Sequence, residues 1–399
     1  MDAALKSLDA NRDRMIETVT QWANINSNSY HVTGLERMSV ALTQAFSVLE
    51  CEGKVLSLPP IEQISADGVT RRVDLGPLLQ FWKRKDAPIQ ILLVGHMDTV
   101  YDIDHPFQKA IRQSESILTG PGVTDMKGGL CVMLEALKAF EQSPIAKQLG
   151  WEVIINPDEE IGSLGSASFL AERAKAHQLA LLFEPAMDEA GTFAGERKGS
   201  GNFTVIVHGR AAHAGRDFLQ GRNAIVQLAH VISEIQALNG KREGVTLNVG
   251  QVQGGSAVNV VPALAICQID VRFQDLKDEA WVNEHLKSIV FAANQPEGFT
   301  VELKGHFNRK PKTITGKTLA LYEMVSELAK TLGQDIHWKP SGGCCDGNNL
   351  SEAGLPNIDT LGVYGGKIHS EEEYLLVDSL VSRAKLTTAI LFHLNQGKF

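Results

Sequence analysis

Cysteine is scarce in this sequence, and the five present (Cys51, Cys131, Cys267, Cys344 and Cys345) form an odd set without CxxC spacing. That argues against a disulfide framework and against a cysteine-built structural zinc cluster. The adjacent Cys344 and Cys345 read as two small residues in a loop. Positive charge is not in excess either. The formal net charge is −9, so neither nucleic acid nor an anionic membrane is an expected partner. An anionic small substrate stays open, because a cleft can be locally positive. No apolar run approaches the length that spans a bilayer. Met1-Asp2-Ala3-Ala4 lacks the basic and apolar segments of a signal peptide, so the expected location is cytoplasmic. Internal repeats and low-complexity tracts are missing too.

What is there is ordinary globular chain, 43% hydrophobic and 21% charged. At 399 residues it exceeds the size at which one core stops growing, which predicts two domains. Apolar residues at helical spacing predict a helix over Ala3–Ala23 and a second one carrying Leu35 to Leu49. After a loop rich in turn residues, strands at Ile89–Val94, Trp151–Asn156 and Leu179–Phe183 alternate with helices at Gly128–Phe140 and Ser166–Ala176. This is the grammar of a mostly parallel sheet with helices on both faces.

The grammar then changes. A strand at Asn202–His208 alternates Phe203, Val205 and Val207 against Thr204, Ile206 and His208, as a half-exposed strand should. A helix near Asn223–Leu238, strands near Thr246–Val252 and Ala263–Phe273, a helix near Asp278–Phe291 and a strand near Phe299–His306 follow. The order β-α-β-β-α-β is ferredoxin-like. The expected organisation is therefore an α/β domain formed by residues 1–195 and 308–399, with a second domain, 196–307, inserted into it. Beyond Lys312 a helix over Thr318–Leu332, a Gly-rich turn at Ser341–Gly343, a short apolar run at Ile358–Val363 and a last helix from Asp378 return to the first domain.

The candidate functional residues sit where apolar runs end. His96 and Asp98 close Ile89–Val94, Glu159 and Glu160 follow Trp151–Asn156, and Glu184 follows Leu181-Leu182-Phe183. Asp125 stands before the helix that Gly128-Gly129 opens, and His369 lies near the C-terminus. Each has a plain structural reading: a surface polar pair, an N-cap, a solvated acidic loop, a loop histidine. Taken together they point elsewhere. In an open α/β sheet the ligand crevice lies at the carboxyl ends of the strands, and two histidines with several carboxylates are a donor set for catalytic zinc. In extended chain His96 and Asp98 share a face, so Asp98 can hold the second imidazole nitrogen. An adjacent Glu pair can divide its labour, one side chain toward metal and the other free to take a proton.

Gly95-His96-Met97-Asp98-Thr99-Val100, Asp125-Met126-Lys127-Gly128-Gly129, Asp158-Glu159-Glu160-Ile161-Gly162-Ser163 and Phe183-Glu184-Pro185 resemble the successive motifs of the M20 metallopeptidase family. The resemblance extends through Gly209-Arg210-Ala211-Ala212-His213-Ala214-Gly215 and Asn259-Val260-Val261-Pro262 to Tyr374. It implies a two-zinc hydrolase of glutamate-carboxypeptidase type, with N-acyl amino-acid deacylases as the alternative. Asp125 would bridge the metals, His96 and Glu184 completing one and Glu160 and His369 the other. Glu159 would be the general base and Asp98 the partner of His96. The inserted domain would be a lid that forms a homodimer, with His213 reaching the partner's site to stabilise the oxyanion. Asn259 and Arg272 would contact a small-molecule or short-peptide substrate, Arg272 gripping its free carboxylate. The family also implies a cis peptide between Asp125 and Met126. Two stretches depart from the pattern: Cys344-Cys345, where relatives carry Gly, Thr or Ser, and the charged Glu196-Arg197-Lys198.

Overall fold

Ile91 to His96 are all buried, and a strand apolar on both faces is stable only between two layers. Each fully buried Ile, Leu or Val is worth roughly 1.5–3 kcal/mol over leaving it in water, which outweighs any single loop preference nearby. In a computed structural model, which describes residues 1–65 and 67–397, that strand is interior to a six-stranded sheet. The last two positions of the expected segment 308–399 lie outside the described residues. The strands are β1 (Glu52–Leu56), β2 (Leu78–Lys83), β3 (Ile89–His96), β4 (Leu149–Asn156), β5 (Leu179–Leu182) and the short Asn357–Ile358. Their spatial order is β1-β2-β4-β3-β5 followed by Asn357–Ile358. The last four are parallel, while β1 and β2 run antiparallel at one edge.

Alternation along the strands divides the core. Ile91, Leu93, Trp151 and Val153 face the larger cluster, built with the helices Arg12–Ala23, Val32–Phe46, Gly128–Glu141 and Asp378–Leu394. Leu92, Val94, Ile154 and Leu182 face the other way, against Leu170, Ala174, Leu350 and Leu355. Helices thus cover both faces, as expected.

A second sheet comprises β6 (Gly199–His208), β7 (Thr246–Gly254), β8 (Leu264–Phe273) and β9 (Thr300–Arg309), in the order β7-β8-β6-β9 and antiparallel throughout. With helices Ala224–Gln236 and Leu276–Ala293 it has the ferredoxin-like succession and an apolar cluster of its own around Val205, Val207, Leu228, Val271 and Val282. Where the chain enters and leaves this unit, Arg197 and Lys312 exchange two backbone hydrogen bonds of 2.9 Å.

Several local expectations are corrected. The first helix is two, Asp2–Ala10 and Arg12–Ala23, broken at Asn11, whose side chain turns to Glu135. The loop before Ile89 contains β1, β2 and a hairpin, Ile61–Ile64 with Thr70–Val73. β1 and the two hairpin strands are largely exposed on both faces, so no apolar alternation marks them, whereas Leu78, Leu79 and Phe81 of β2 are buried. Ile206 is buried rather than half-exposed. The hairpin turn comes over it, such that a Cβ on Gly68 would lie 3.5 Å from its side chain. After Ser341–Gly343 comes a helix, Asp346–Glu352; Asp346, Asn348 and Asn349 are buried in it, which removes the apolar period that would reveal it.

The sheet and the following helix meet at one glycine. A Cβ on Gly129 would lie 2.0 Å from the carbonyl oxygen of Phe183, the residue before Glu184. Helix propensity alone would make Gly129→Ala stabilising by about 1 kcal/mol; the clash with rigid backbone reverses the sign and costs about 1–3 kcal/mol. Denaturant unfolding should therefore show a lowered midpoint, and a raised one would contradict this packing.

Candidate metal centre

His96 ends β3, Glu159 and Glu160 follow β4 in a short 3-10 turn (Glu159–Ile161), and Glu184 lies two residues beyond β5. Three adjacent parallel strands therefore deliver side chains to one crevice. Asp125 enters from the turn before helix Gly128–Glu141, across a cis peptide to Met126. His369 arrives from the C-terminal segment with φ of 63°. Of the expected residues, His96, Asp98, Asp125, Glu159, Glu160, Glu184 and His369 are brought together here.

The geometry is organised around Asp125. Its Oδ1 lies 3.2 Å from His96 Nε2 and its Oδ2 lies 3.4 Å from His369 Nε2. Glu184 Oε2 is 3.8 Å from the first imidazole, and Glu160 Oε2 is 3.2 Å from the second. Donor atoms of His96, Asp125 and Glu160 all lie within 4.8 Å of one another.

Asp98, fully buried, does more than meet His96. His96 Nδ1 is 3.1 Å from the Asp98 carbonyl and 3.3 Å from its Oδ1. With Nδ1 so engaged, Nε2 is the nitrogen left for the crevice. The same carboxylate accepts the backbone N–H groups of Glu159 (3.2 Å) and Glu160 (3.0 Å) and the Ser29 hydroxyl (2.7 Å). One side chain thus sets both the imidazole and the Glu pair.

Burial pushes the Glu160 carboxyl up to about 7, helped by the Asp125 charge. Glu159 and Glu184 are also raised, chiefly by burial, against the opposing influence of Arg309 and His96 respectively. For Asp125 the two histidines overcome burial and hold the carboxyl well below its usual range. Hydrogen bonds to Asp125 and Glu160 carry His369 up to about 11. His96 is raised as well, its carboxylate partners outweighing burial. Crowded, desolvated carboxylates that must borrow protons are the electrostatics of a cavity suited to cations. The N and O donors present fit divalent metal of the zinc kind.

Beyond the donors is a cavity of about 530 Å³, lined among others by Glu159, Arg197, Arg272, Asn308, Arg309, Cys344 and Cys345. Arg272 faces it, tied to Asp270 at 2.8 Å and to Cys344 Sγ at 3.2 Å. His213 and Asn259 do not line it. Both are exposed, at a small ribbon in which Ala212–His213 pairs with Val260–Val261. The departures meet the cavity in part: Arg197, Cys344 and Cys345 line it, whereas Glu196 and Lys198 do not.

Sequence reasoning missed Arg309 and Glu373, and saw Arg197 only as a departure in charge. Arg309, at the end of β9, sets Nη2 2.8 Å from Glu159 Oε1 and donates to Ser163 Oγ at 2.8 Å. Arg197 is clamped by Asp359 through two bonds of 2.9 Å, with Lys312 on the same carboxylate at 2.7 Å. Glu373 gathers the backbone of the Asp125 turn. The charge at Arg197 was visible in sequence; nothing local marked the other two.

Fold and donor set together define a metal-dependent hydrolase. The chain belongs to peptidase family M20/M25/M40, whose model matches residues 92–393. It is 29% identical to carboxypeptidase G2 of Pseudomonas sp. (strain RS-16) over 324 residues, covering 77% of this chain and 74% of that protein. It is 24% identical to succinyl-diaminopimelate desuccinylase of Hahella chejuensis over 337 residues, covering 79% and 85%. Among solved structures, the YXEP protein of Bacillus subtilis, described as a dinuclear metal-binding peptidase of the M20 family, superposes with a TM-score of 0.64. The identity is 16%, and 96% of this chain and 99% of that one are covered.

Proposed function

We propose that this chain is a two-zinc amidohydrolase that removes a C-terminal amino acid, or deacylates an N-acyl amino acid, in the manner of a glutamate carboxypeptidase. The observation that carries the reading is Asp125, whose two oxygens face different histidines. Asp125 would be shared between the metals, with His96 and Glu184 holding one and Glu160 and His369 the other. Two zinc ions would supply acidification of water and polarisation of the scissile carbonyl. Asp98 fixes the His96 tautomer.

Glu159 is the general base. It is buried, its carboxyl is raised, and its neighbour Glu160 is the one facing His369. It takes a proton from the attacking water and returns it to the departing nitrogen. Arg272 receives the substrate carboxylate in the cavity, with Asn259 of the partner subunit as a further contact. The similarity to a desuccinylase favours N-acyl amino-acid deacylation as the second reading, since that chemistry uses the same metal set and differs only in the pocket.

In this reading residues 1–195 and 308–399 form the catalytic domain, and 196–307 the lid and dimer domain. His213 and Asn259 stay outside their own cavity because they serve the partner's. Exposed Phe218, Leu219 and Val258 flank them in sequence, and exposed apolar residues in one region mark a protein contact. A two-fold dimer would place both ribbons at once. The net charge of −9 gives no attraction to nucleic acid or anionic lipid. The five free thiols suit a reducing, cytoplasmic setting.

Zinc-loaded protein should hydrolyse N-acyl glutamate and lose about 10–100-fold in kcat/KM when the α-carboxylate is amidated, the worth of one charged hydrogen-bond pair. Equal turnover of acid and amide would contradict the carboxylate grip.

The shared site has its own test. His213→Ala and Glu159→Gln homodimers should each be inactive. A mixed dimer has one site lacking both groups and one with both intact. Random exchange should therefore restore up to about a quarter of wild-type activity. Verified exchange without recovery would return His213 to its own subunit or remove it from the reaction.

A further inference from the structure

Four residues beyond His369, Glu373 is 1% exposed and, among the described residues, has no cation within its hydrogen-bonding shell. A carboxylate so placed is costly unless its acceptor sites are filled. They are filled by three N–H groups of one turn and by the Tyr101 hydroxyl. Oε1 accepts the N–H of Thr124 at 2.8 Å and of Asp125 at 3.0 Å. Oε2 accepts the N–H of Gly122 at 3.0 Å and the Tyr101 hydroxyl at 2.7 Å. A carboxylate offers about four acceptor positions, so nothing remains for a ligand or a proton relay. The same two stretches are joined again by Gly120 N–H to the Glu373 carbonyl (3.2 Å) and by Thr124 Oγ1 to the Tyr374 carbonyl (2.6 Å).

The turn held in this way carries Asp125, and the segment that holds it carries His369. Their side chains meet at 3.4 Å. We propose that Glu373 is a positioning residue that sets the Asp125 turn against the His369 segment, so that one oxygen of Asp125 stays toward His96 and the other toward His369, where the metals would be held. The inference rests on the two-metal reading above.

Glu373→Gln keeps the shape but offers a single acceptor oxygen, so in either orientation the amide nitrogen faces a backbone N–H. Tyr101→Phe removes one donor and leaves the backbone bonds. Both variants and wild type, full-length and metal-free, are titrated with zinc and with cobalt against a chromophoric chelator. The visible spectrum of the cobalt form and the unfolding midpoint of the metal-free form are recorded. Glu373→Gln should bind metal about 10–100-fold more weakly, as loss of a group orienting a ligand does, with an altered cobalt spectrum. Tyr101→Phe, which also loses the bond to the Ser370 carbonyl beside His369 (2.9 Å), should shift affinity and spectrum in the same direction by a smaller factor; should Glu373→Gln fail to fold, Glu373→Asp, which keeps the charge and shortens its reach, is titrated in its place. Wild-type affinity and spectrum in the folded variants would overturn the role of Glu373 while leaving the metal site standing. A wild-type chain that binds fewer than two metals would instead overturn the two-metal reading, and this inference with it.

Discussion

The structure turns on keeping one buried carboxylate, Asp125, between two imidazoles. It is 8% exposed, with each oxygen turned to a different histidine. Taking such a charge out of water is costly unless it is paired, and the rest of the site reads as the means of pairing it. Strand ends bring His96, Glu160 and Glu184 to one side. The C-terminal segment returns across the molecule to bring His369. The crowding that results raises Glu159, Glu160 and Glu184 together, a condition that cations relieve.

Behind these donors, other carboxylates act on backbone rather than on substrate. Asp98 fixes an imidazole and two peptide N–H groups at once, and Glu373 holds three more. Arg309 comes from the end of β9, outside the six-stranded sheet, yet touches Glu159. Glu159 is thus in contact with the last residue of the ferredoxin-like sheet, which runs two positions past the 196–307 segment. Movement of that unit would alter the surroundings of Glu159 as well as the shape of the cavity.

How much of this could be read from sequence depended on range. β3, β4 and β5 announced themselves as apolar runs, and the acids and histidine at their ends were legible because a buried run seldom ends in charge without reason. Asp125 and His369 were ambiguous alone, an N-cap and a loop histidine, and needed the family resemblance. Arg309 meets Glu159 across 150 positions and Glu373 meets Asp125 across 248, so no local pattern could reveal either. The exposed hairpin at Ile61–Val73 and the buried polar helix Asp346–Glu352 were lost for the opposite physical reasons: one has no inner face, and the other buries hydrogen bonds instead of hydrocarbon. Arg197 showed as a departure in charge, but its pairing with Asp359 appears only in the fold.

The claim on which the account depends is that Asp125 bridges two metals, and metal stoichiometry tests it most directly. Chelator-stripped protein dialysed to equilibrium with zinc should take up two ions per chain, and Asp125→Ala should retain no more than one while its fold persists by circular dichroism. A single ion in the wild-type chain, or two held undiminished without Asp125, would contradict it.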